Sequence, residues 1–272
     1  MTNPSKDRWI QLSVARRMVI DYMWAASGVA RMAVRRGVAF GEVIDIRRRL
    51  SNPPSWTAIF VKAFAIVAAE IPELRRAYMK WPWPHLHEYG ESTVFVSHEC
   101  KIDGETGVLP LRFRKPDGIP LRQLSDMIRH AANAPIEDSK FYRTLIALMR
   151  LPLLVRRFLL TLCLNIPRMR RHAFGTCHIS SIARWQSEFG ATLTPLPYLL
   201  MTYGPADSEG KVQVELILDH RIFDGAVASR ALSRLDQVLN SVILEELREL
   251  ASHETTRVER EGLPASLQPA TG

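Results

Sequence analysis

The stretch VQVELILDHRIFDGA, residues 212–226, combines a strand pattern with a short polar loop and the start of a helix. Apolar side chains alternate along its first half, which predicts a strand that presents His220 at its end. Gly225 is expected to permit the turn into a helix that begins near Ala226. A histidine and an aspartate four residues apart, His220 and Asp224, are compatible with a metal pair, a catalytic pair or a chance arrangement in a surface loop.

A metal pair finds little support elsewhere in the sequence. The other histidines lie in separate segments, and the three cysteines, Cys100, Cys163 and Cys177, are too scattered for a zinc cluster or a disulfide framework. We therefore expect no metal site, and we expect the cysteines to be reduced thiols in the core.

Composition is that of an ordinary globular protein: 47% of the 272 residues are hydrophobic and 24% are charged. The net charge of +8 rests on arginine clusters, which are compatible with nucleic acid, anionic lipid or a phosphorylated cofactor. None of the clusters has the interleaved aromatic residues of a single-strand platform or the pattern of a helix-turn-helix motif, so no nucleic-acid partner is expected. The N-terminus lacks the apolar run of a secretory signal, which predicts a cytoplasmic protein.

Periodicity predicts a mixture of helices and strands without a strict strand-helix-strand repeat. One helix is expected over residues 12–36, with Ser13 as N-cap, and another within the segment 55–78, where it stops before Pro72. Two more are expected over residues 120–134 and 226–250. Strands are expected over residues 92–102, 107–114, 175–182, 197–204 and 212–220. Residues 79–91 are expected to form a loop because Pro82 and Pro84 interrupt regular structure.

This order of elements predicts an α+β fold, a mixed β-sheet with helices packed on a face. Residues 1–250 are expected to form a single domain, and residues 251–272 a flexible polar tail. No GxGxxG or phosphate-loop motif occurs, which disfavours a Rossmann dehydrogenase or a nucleotide hydrolase.

The segment DHRIFDGA, residues 219–226, resembles the HxxxDG signature of the chloramphenicol acetyltransferase superfamily, and most of all the catalytic domain of 2-oxoacid dehydrogenase acyltransferases. Four further segments resemble that domain in the same order: the arginine-rich helix LSVARRMVIDYM, the core helix of residues 55–78, the strand GVLPLRFR and the strand GTCHISSI. Five matches in order are a stronger signal than HxxxDG alone. The resemblance implies a chloramphenicol acetyltransferase-like fold and acyl transfer.

The resemblance also implies roles for single residues. Acyl transfer needs a base near neutrality to take the proton of the acceptor, and His220 is expected to be that base. The hydroxyl of Ser180 is expected to stabilise the oxyanion, with Ser181 as second choice.

The rest of the HxxxDG motif is expected to have a structural role. By the same resemblance, Asp224 pairs with Arg16 or Arg17 of the first helix and holds the histidine loop in shape, rather than relaying a proton. Gly225 completes the motif as a structural residue. Such a buried ion pair is costly to break, because the surviving partner is left uncompensated.

The implied reaction moves an acyl group from a coenzyme A or carrier thioester to a hydroxyl, amine or thiol of a small or lipid-like acceptor. The alternative is a non-catalytic trimeric scaffold that keeps the acyltransferase fold; the presence of His220, Asp224 and Gly225 favours the enzyme. Relatives form trimers with sites between subunits, so a homotrimer is expected. Because the tail is polar, that trimer is expected to be isolated rather than part of a larger core.

The sequence also departs from the family pattern. No lipoyl domain or subunit-binding domain precedes the core, so a stand-alone protein without a covalently bound lipoyl group is expected. Asp21 and Tyr22 stand where a basic pair is expected, and Ala183 where a glycine is expected. Residues 141–171 form an apolar and basic insertion, interpreted as a pair of helices capping the core in preference to peripheral membrane contact, or as a lid over a lipid-like or polyketide-like substrate.

Overall fold

The computed structural model describes residues 7, 9–102, 104–181, 183 and 199–261. Within these ranges the α-helices are α1 (Val14–Ala26), α2 (Gly41–Arg49), α3 (Trp56–Glu70), α4 (Leu121–Asn133), α5 (Lys140–Arg150), α6 (Leu153–Asn165), α7 (Pro167–Phe174), α8 (Gly225–Val238) and α9 (Leu244–Glu261). The strands are β1 (Arg31–Ala39), β2 (Arg76–Met79), β3 (His85–Glu88), β4 (Thr93–Ile102), β5 (Glu105–Arg114), β6 (Cys177–Ser180), β7 (Leu200–Ala206) and β8 (Lys211–Asp219). A π-helical turn, Leu239–Ile243, joins α8 to α9.

Six of these strands form one mixed sheet in the order β1-β8-β7-β6-β4-β5. Strand β6 runs parallel to β4 and β7, whereas the other neighbours in the sheet are antiparallel. Strands β2 and β3 pair separately as a two-stranded ribbon. The predicted α+β fold, a mixed sheet with packed helices, is confirmed.

Helix α3 forms the centre of the hydrophobic core. Its N-cap Ser55 accepts a hydrogen bond from the Ala58 N–H at 3.2 Å, and the helix ends before Pro72, as predicted. Its one basic residue, Lys62, is largely buried and donates to Glu246 of α9 at 2.5 Å. An almost wholly apolar helix is stable here because it is covered on most sides.

The prediction of one helix over residues 12–36 is wrong in its second half. Ser13 caps α1 as expected, but the helix ends at Ala26 and residues 31–39 form β1. That strand pairs with β8 along its whole length, from Arg31 opposite Asp219 onward. The alternation of apolar and basic residues here fits a strand as well as a helix, and the non-local pairing decides between them.

Two smaller predictions are also corrected. The segment 79–91 contains β3 after its prolines, so it is not wholly a loop. The tail from residue 251 remains helical as far as Glu261, because Glu254 accepts a hydrogen bond from the Ser51 N–H at 2.9 Å and pairs with Arg122 at 2.5 Å. Residues 262–272 lie outside the described residues.

The insertion of residues 141–171 forms three helices, α5–α7, instead of the expected pair. Tyr142 and Met149 of α5 belong to the main core, so this part of the insertion packs against the domain. Helix α6 leaves apolar side chains in solvent, with Leu154 81% and Phe158 61% exposed. In the described part of the chain, no helix is both long and apolar enough to span a bilayer.

Candidate active site

The loop between β8 and α8 is held by the residue that precedes the histidine. Asp219 is fully buried, and its carboxylate accepts two hydrogen bonds from the Arg221 guanidinium, at 2.9 and 2.7 Å. Its carbonyl oxygen accepts from the N–H groups of Ile222 and Phe223. The guanidinium lies over the Tyr78 ring, 4.5 Å from the centroid. These contacts fix the conformation of the loop, and none of them was predicted from the sequence.

The imidazole of His220 lies exposed at the end of β8, as expected. Its Nδ1 is 2.7 Å from the carbonyl oxygen of Phe223, and its backbone N–H donates to Ala30 at 2.8 Å. A carbonyl oxygen can only accept, so Nδ1 must carry the proton in this hydrogen bond. The neutral ring then has its lone pair at Nε2, the form that a general base needs.

The expected ion pair of Asp224 is not formed within the chain. Its Oδ1 instead accepts from the Val227 N–H at 3.0 Å and caps α8. Arg16 is exposed, and Arg17 donates to the Leu12 carbonyl at 3.1 Å. The N-terminal part of α1, which carries both arginines, packs against β5 at the other edge of the sheet from β8, and neither arginine contacts Asp224.

Gly225 is also not needed for the turn as predicted. It is the first residue of α8, its φ is not positive, and a Cβ there would meet no described atom within 4 Å. A glycine that the fold does require is Gly175, before β6. Its φ is 70°, and a Cβ there would clash with the Thr93 carbonyl oxygen at 2.4 Å. The turn at the histidine depends on hydrogen bonds of the loop rather than on a glycine.

The two candidate serines lie at the end of β6 in different situations. The Ser181 hydroxyl donates to the Tyr203 carbonyl at 2.7 Å and accepts from the Ala183 N–H at 3.1 Å. The hydroxyl of Ser180 is half-buried and makes no hydrogen bond to the described part of the chain. Ser180 is therefore the serine whose hydroxyl remains available to a ligand.

One chain does not bring Ser180 and His220 together. Ser180 pairs with Thr202 on β7, which in turn pairs with Glu215 on β8. Glu215 precedes His220 by five positions. Ser180 and His220 are therefore separated by about 16 Å along the strands and about 10 Å across them.

The sheet face that carries Ser180 holds several polar side chains. His178 lies two residues earlier on the same strand, and its Nε2 is 2.7 Å from the Ser97 hydroxyl. Burial lowers the pKa of His178 to about 3, so this ring is neutral at physiological pH. Glu215 on the same face is buried and pairs with Arg35 at 2.6 Å. Sequence reasoning missed His178, because a histidine inside a strand looks like any other strand residue.

Metal-ligating side chains do not gather in the described ranges: no group of three or more histidines, cysteines, aspartates or glutamates could hold a metal ion there. The three cysteines are free thiols, and burial raises the pKa of each of them. Their low reactivity fits a structural role.

Comparison with known proteins finds solved structures of similar fold. No protein-family model and no curated protein matches the sequence. Azotobacter vinelandii dihydrolipoamide acetyltransferase matches with 14% identity and a TM-score of 0.63, over 88% of this chain and 93% of that one. The catalytic core of the 2-oxoacid dehydrogenase complex of Thermoplasma acidophilum matches with 16% identity and a TM-score of 0.61, over 86% and 99%. Chloramphenicol acetyltransferase matches with 15% identity and a TM-score of 0.51, over 84% and 98%.

The chain has the chloramphenicol acetyltransferase-like fold. The fold implied by the HxxxDG resemblance is thereby confirmed. At these identities the likeness concerns the fold, so the chemistry has to be argued from the residues of the site.

The two residues of α1 that depart from the family pattern, Asp21 and Tyr22, contact the inserted helices. Asp21 forms a buried ion pair with Arg156 of α6 at 2.7 Å, with side chains 2% and 9% exposed. The Tyr22 ring lies 5.7 Å from the ring of Phe174, where α7 ends. Helix α1 and the insertion therefore pack as one unit, which accounts for an aspartate and a tyrosine at these positions.

Proposed function

We propose that the protein is an acyltransferase in which His220 is the general base. The observation that carries the proposal is the hydrogen bond between Nδ1 and the Phe223 carbonyl, which leaves the Nε2 lone pair exposed at the end of β8. Oriented in this way, the imidazole is able to take a proton from a bound acceptor.

The reaction follows from that geometry. Nε2 of His220 removes the proton of a hydroxyl, amine or thiol while the acceptor attacks the carbonyl carbon of a coenzyme A or carrier thioester. The tetrahedral intermediate collapses, the C–S bond breaks, and the leaving thiolate receives the proton from the imidazolium. A hydrogen-bond donor at the developing oxyanion is worth about 3 to 4 kcal/mol, and the Ser180 hydroxyl is proposed for that role.

A related enzyme supports these assignments. In Azotobacter vinelandii dihydrolipoamide acetyltransferase, the catalytic mechanism has been investigated through a serine, a histidine and an asparagine four positions after the histidine. His220 and Asp224 have the same spacing in this chain. Asparagine and aspartate are equally good N-cap residues, which fits the capping role of Asp224 at α8.

We further propose a homotrimer whose active sites lie between subunits. His220 and Ser180 are too far apart within one chain to act on the same substrate atom. A head-to-tail arrangement closed by three-fold symmetry would bring the histidine of one subunit to the serine of the next. The half-buried Ser180 hydroxyl makes no hydrogen bond to a described residue, so it remains available to a substrate held between two subunits.

The first test is thioester cleavage by the purified protein. Acetyl-, butyryl-, octanoyl- and palmitoyl-coenzyme A, and the same acyl groups on a carrier protein, are incubated with hydroxyl, amine and thiol acceptors while free thiol is measured. We expect acceptor-dependent thiol release with at least one acyl group, and unchanged release by a His253→Ala variant, because His253 is an exposed residue of α9. Absence of release from every donor would favour the scaffold alternative.

A further inference from the structure

The inserted helices and α1 enclose a cavity of about 720 Å³ against β4 and β5, which we call the insertion cavity. It is of the size that small-molecule sites usually have. Its apolar lining comes from α1 and from all three inserted helices, and it includes Tyr22, Leu145, Met149, Leu160, Ala173 and Phe174.

The apolar part of the insertion cavity includes buried side chains. Met149 and Phe174 are buried there, and water is held poorly by such a surface. Thr93 also lines the cavity, is 2% exposed, and its buried Oγ1 has no hydrogen-bond partner among the described residues. Buried hydroxyls nearly always have a partner, so Oγ1 is free to bond an ordered water or another polar atom in the cavity.

The lining of the insertion cavity is also strongly cationic. The basic residues of its lining are Arg112, Arg114, Lys140, Arg156, Arg168 and Arg171. Its one acidic lining residue, Asp21, is neutralised by Arg156. Glu91 lies nearby and pairs with Arg114 at 2.5 Å and Arg171 at 3.5 Å.

Two of these cations remain available to a ligand. Lys140 and Arg168 are exposed, and neither forms an ion pair with a described residue. Arg112 donates to His172 Nδ1 at 2.7 Å, and burial, together with the Arg112 charge, lowers the pKa of His172. A neutral His172 adds no positive charge of its own but accepts the hydrogen bond that positions Arg112.

We propose that the insertion cavity binds a single-chain amphiphile with an anionic head, a carboxylate or a phosphate. The alkyl chain lies among the apolar side chains of α5, α6 and α7, and the head group contacts Lys140 and Arg168. The cavity lies at β4 and β5, three strand spacings or about 14 Å from β8, so this site is separate from His220.

Calorimetric titration of the full chain tests the head-group requirement directly. Dodecanoate and dodecyl phosphate, each below its micelle concentration, are expected to bind with one molecule per chain. Dodecyltrimethylammonium has the same chain length and the opposite charge, and it is expected not to bind. Equal binding of all three ligands, or binding of none, would overturn the proposal, whereas a difference between the two anions identifies the preferred head.

Two variants with matched controls test the location. Ala173→Phe fills the cavity and is expected to weaken dodecanoate binding about tenfold or more, whereas Ala147→Phe, at an exposed position of α5, leaves it unchanged. Arg168→Glu is expected to weaken dodecanoate binding about fivefold. Its control, Arg143→Glu on the exposed side of α5, is expected to leave binding unchanged.

The outcomes separate this site from the active site. Because Arg168 is exposed, its variant remains informative if Ala173→Phe does not fold. Binding that is insensitive to both Ala173→Phe and Arg168→Glu would show that the ligand lies elsewhere. The His220→Ala variant is expected to bind dodecanoate normally, so loss of acyl transfer and loss of amphiphile binding are independent results.

Discussion

The His220→Ala variant is expected to lose acyl transfer by about 10²- to 10⁴-fold in kcat, the range that a positioned general base supplies. Its thermal unfolding is expected to change little, because the imidazole is exposed and its one side-chain hydrogen bond, to Phe223, is worth about 0.5 to 1.5 kcal/mol. Initial rates of thiol release, measured with a donor and acceptor found in the panel, check the loss.

The control for this result is His253→Ala, which removes an exposed imidazole far along the chain in α9. It is expected to retain the full rate. If His220→Ala keeps most of the activity at unchanged stability, another group takes the proton and the base assignment is wrong.

The Asp21→Ala variant is expected to lose about 3 to 5 kcal/mol of unfolding free energy, since it leaves the buried Arg156 guanidinium without a counter-charge. Urea denaturation at constant m-value measures the loss. A matched surface variant, Asp45→Ala, breaks a pair with Arg48 at 3.9 Å whose side chains are mostly exposed, and it is expected to cost less than about 1 kcal/mol.

Replacing both partners gives the sharper comparison. The double variant Asp21→Leu and Arg156→Met is expected to recover part of the loss, because apolar residues of similar size often replace a buried pair without penalty. Full recovery is not expected, since Arg156 also donates to the Leu151 carbonyl at 3.0 Å. A loss for Asp21→Ala no larger than that for Asp45→Ala would show that the pair does not hold the insertion to α1.

The sequence predicted those parts of the fold whose pattern has a single interpretation. An apolar alternation followed by a polar loop placed His220 at the end of β8, and a nearly uncharged segment with a serine cap predicted α3. Strand β1 was missed because its pairing with β8 is a contact between residues far apart in sequence. The helical continuation after residue 250 was missed because it depends on contacts of Glu254 with Ser51 and Arg122.

The sequence predicted which residues form the candidate site better than it predicted the contacts that these residues make. The loop is stabilised by Asp219 and Arg221, which stand beside the histidine, rather than by an arginine of the first helix. Composition predicted helices in the insertion but not the cavity, because a cavity depends on how the faces of three helices meet. Asp21 was recognised as a departure, yet its partner Arg156 lies 135 residues away in sequence.

Mixed trimers test the proposal that one subunit supplies His220 and its neighbour supplies Ser180. Inactive His220→Ala and Ser180→Ala chains carrying different tags are dissociated, mixed and reassociated, and trimers that hold both tags are isolated. We expect thiol release to reappear in these trimers, because some interfaces pair an intact histidine with an intact serine. If isolated mixed trimers stay inactive while each parent is inactive alone, both residues serve the same subunit's site and the inter-subunit arrangement is wrong.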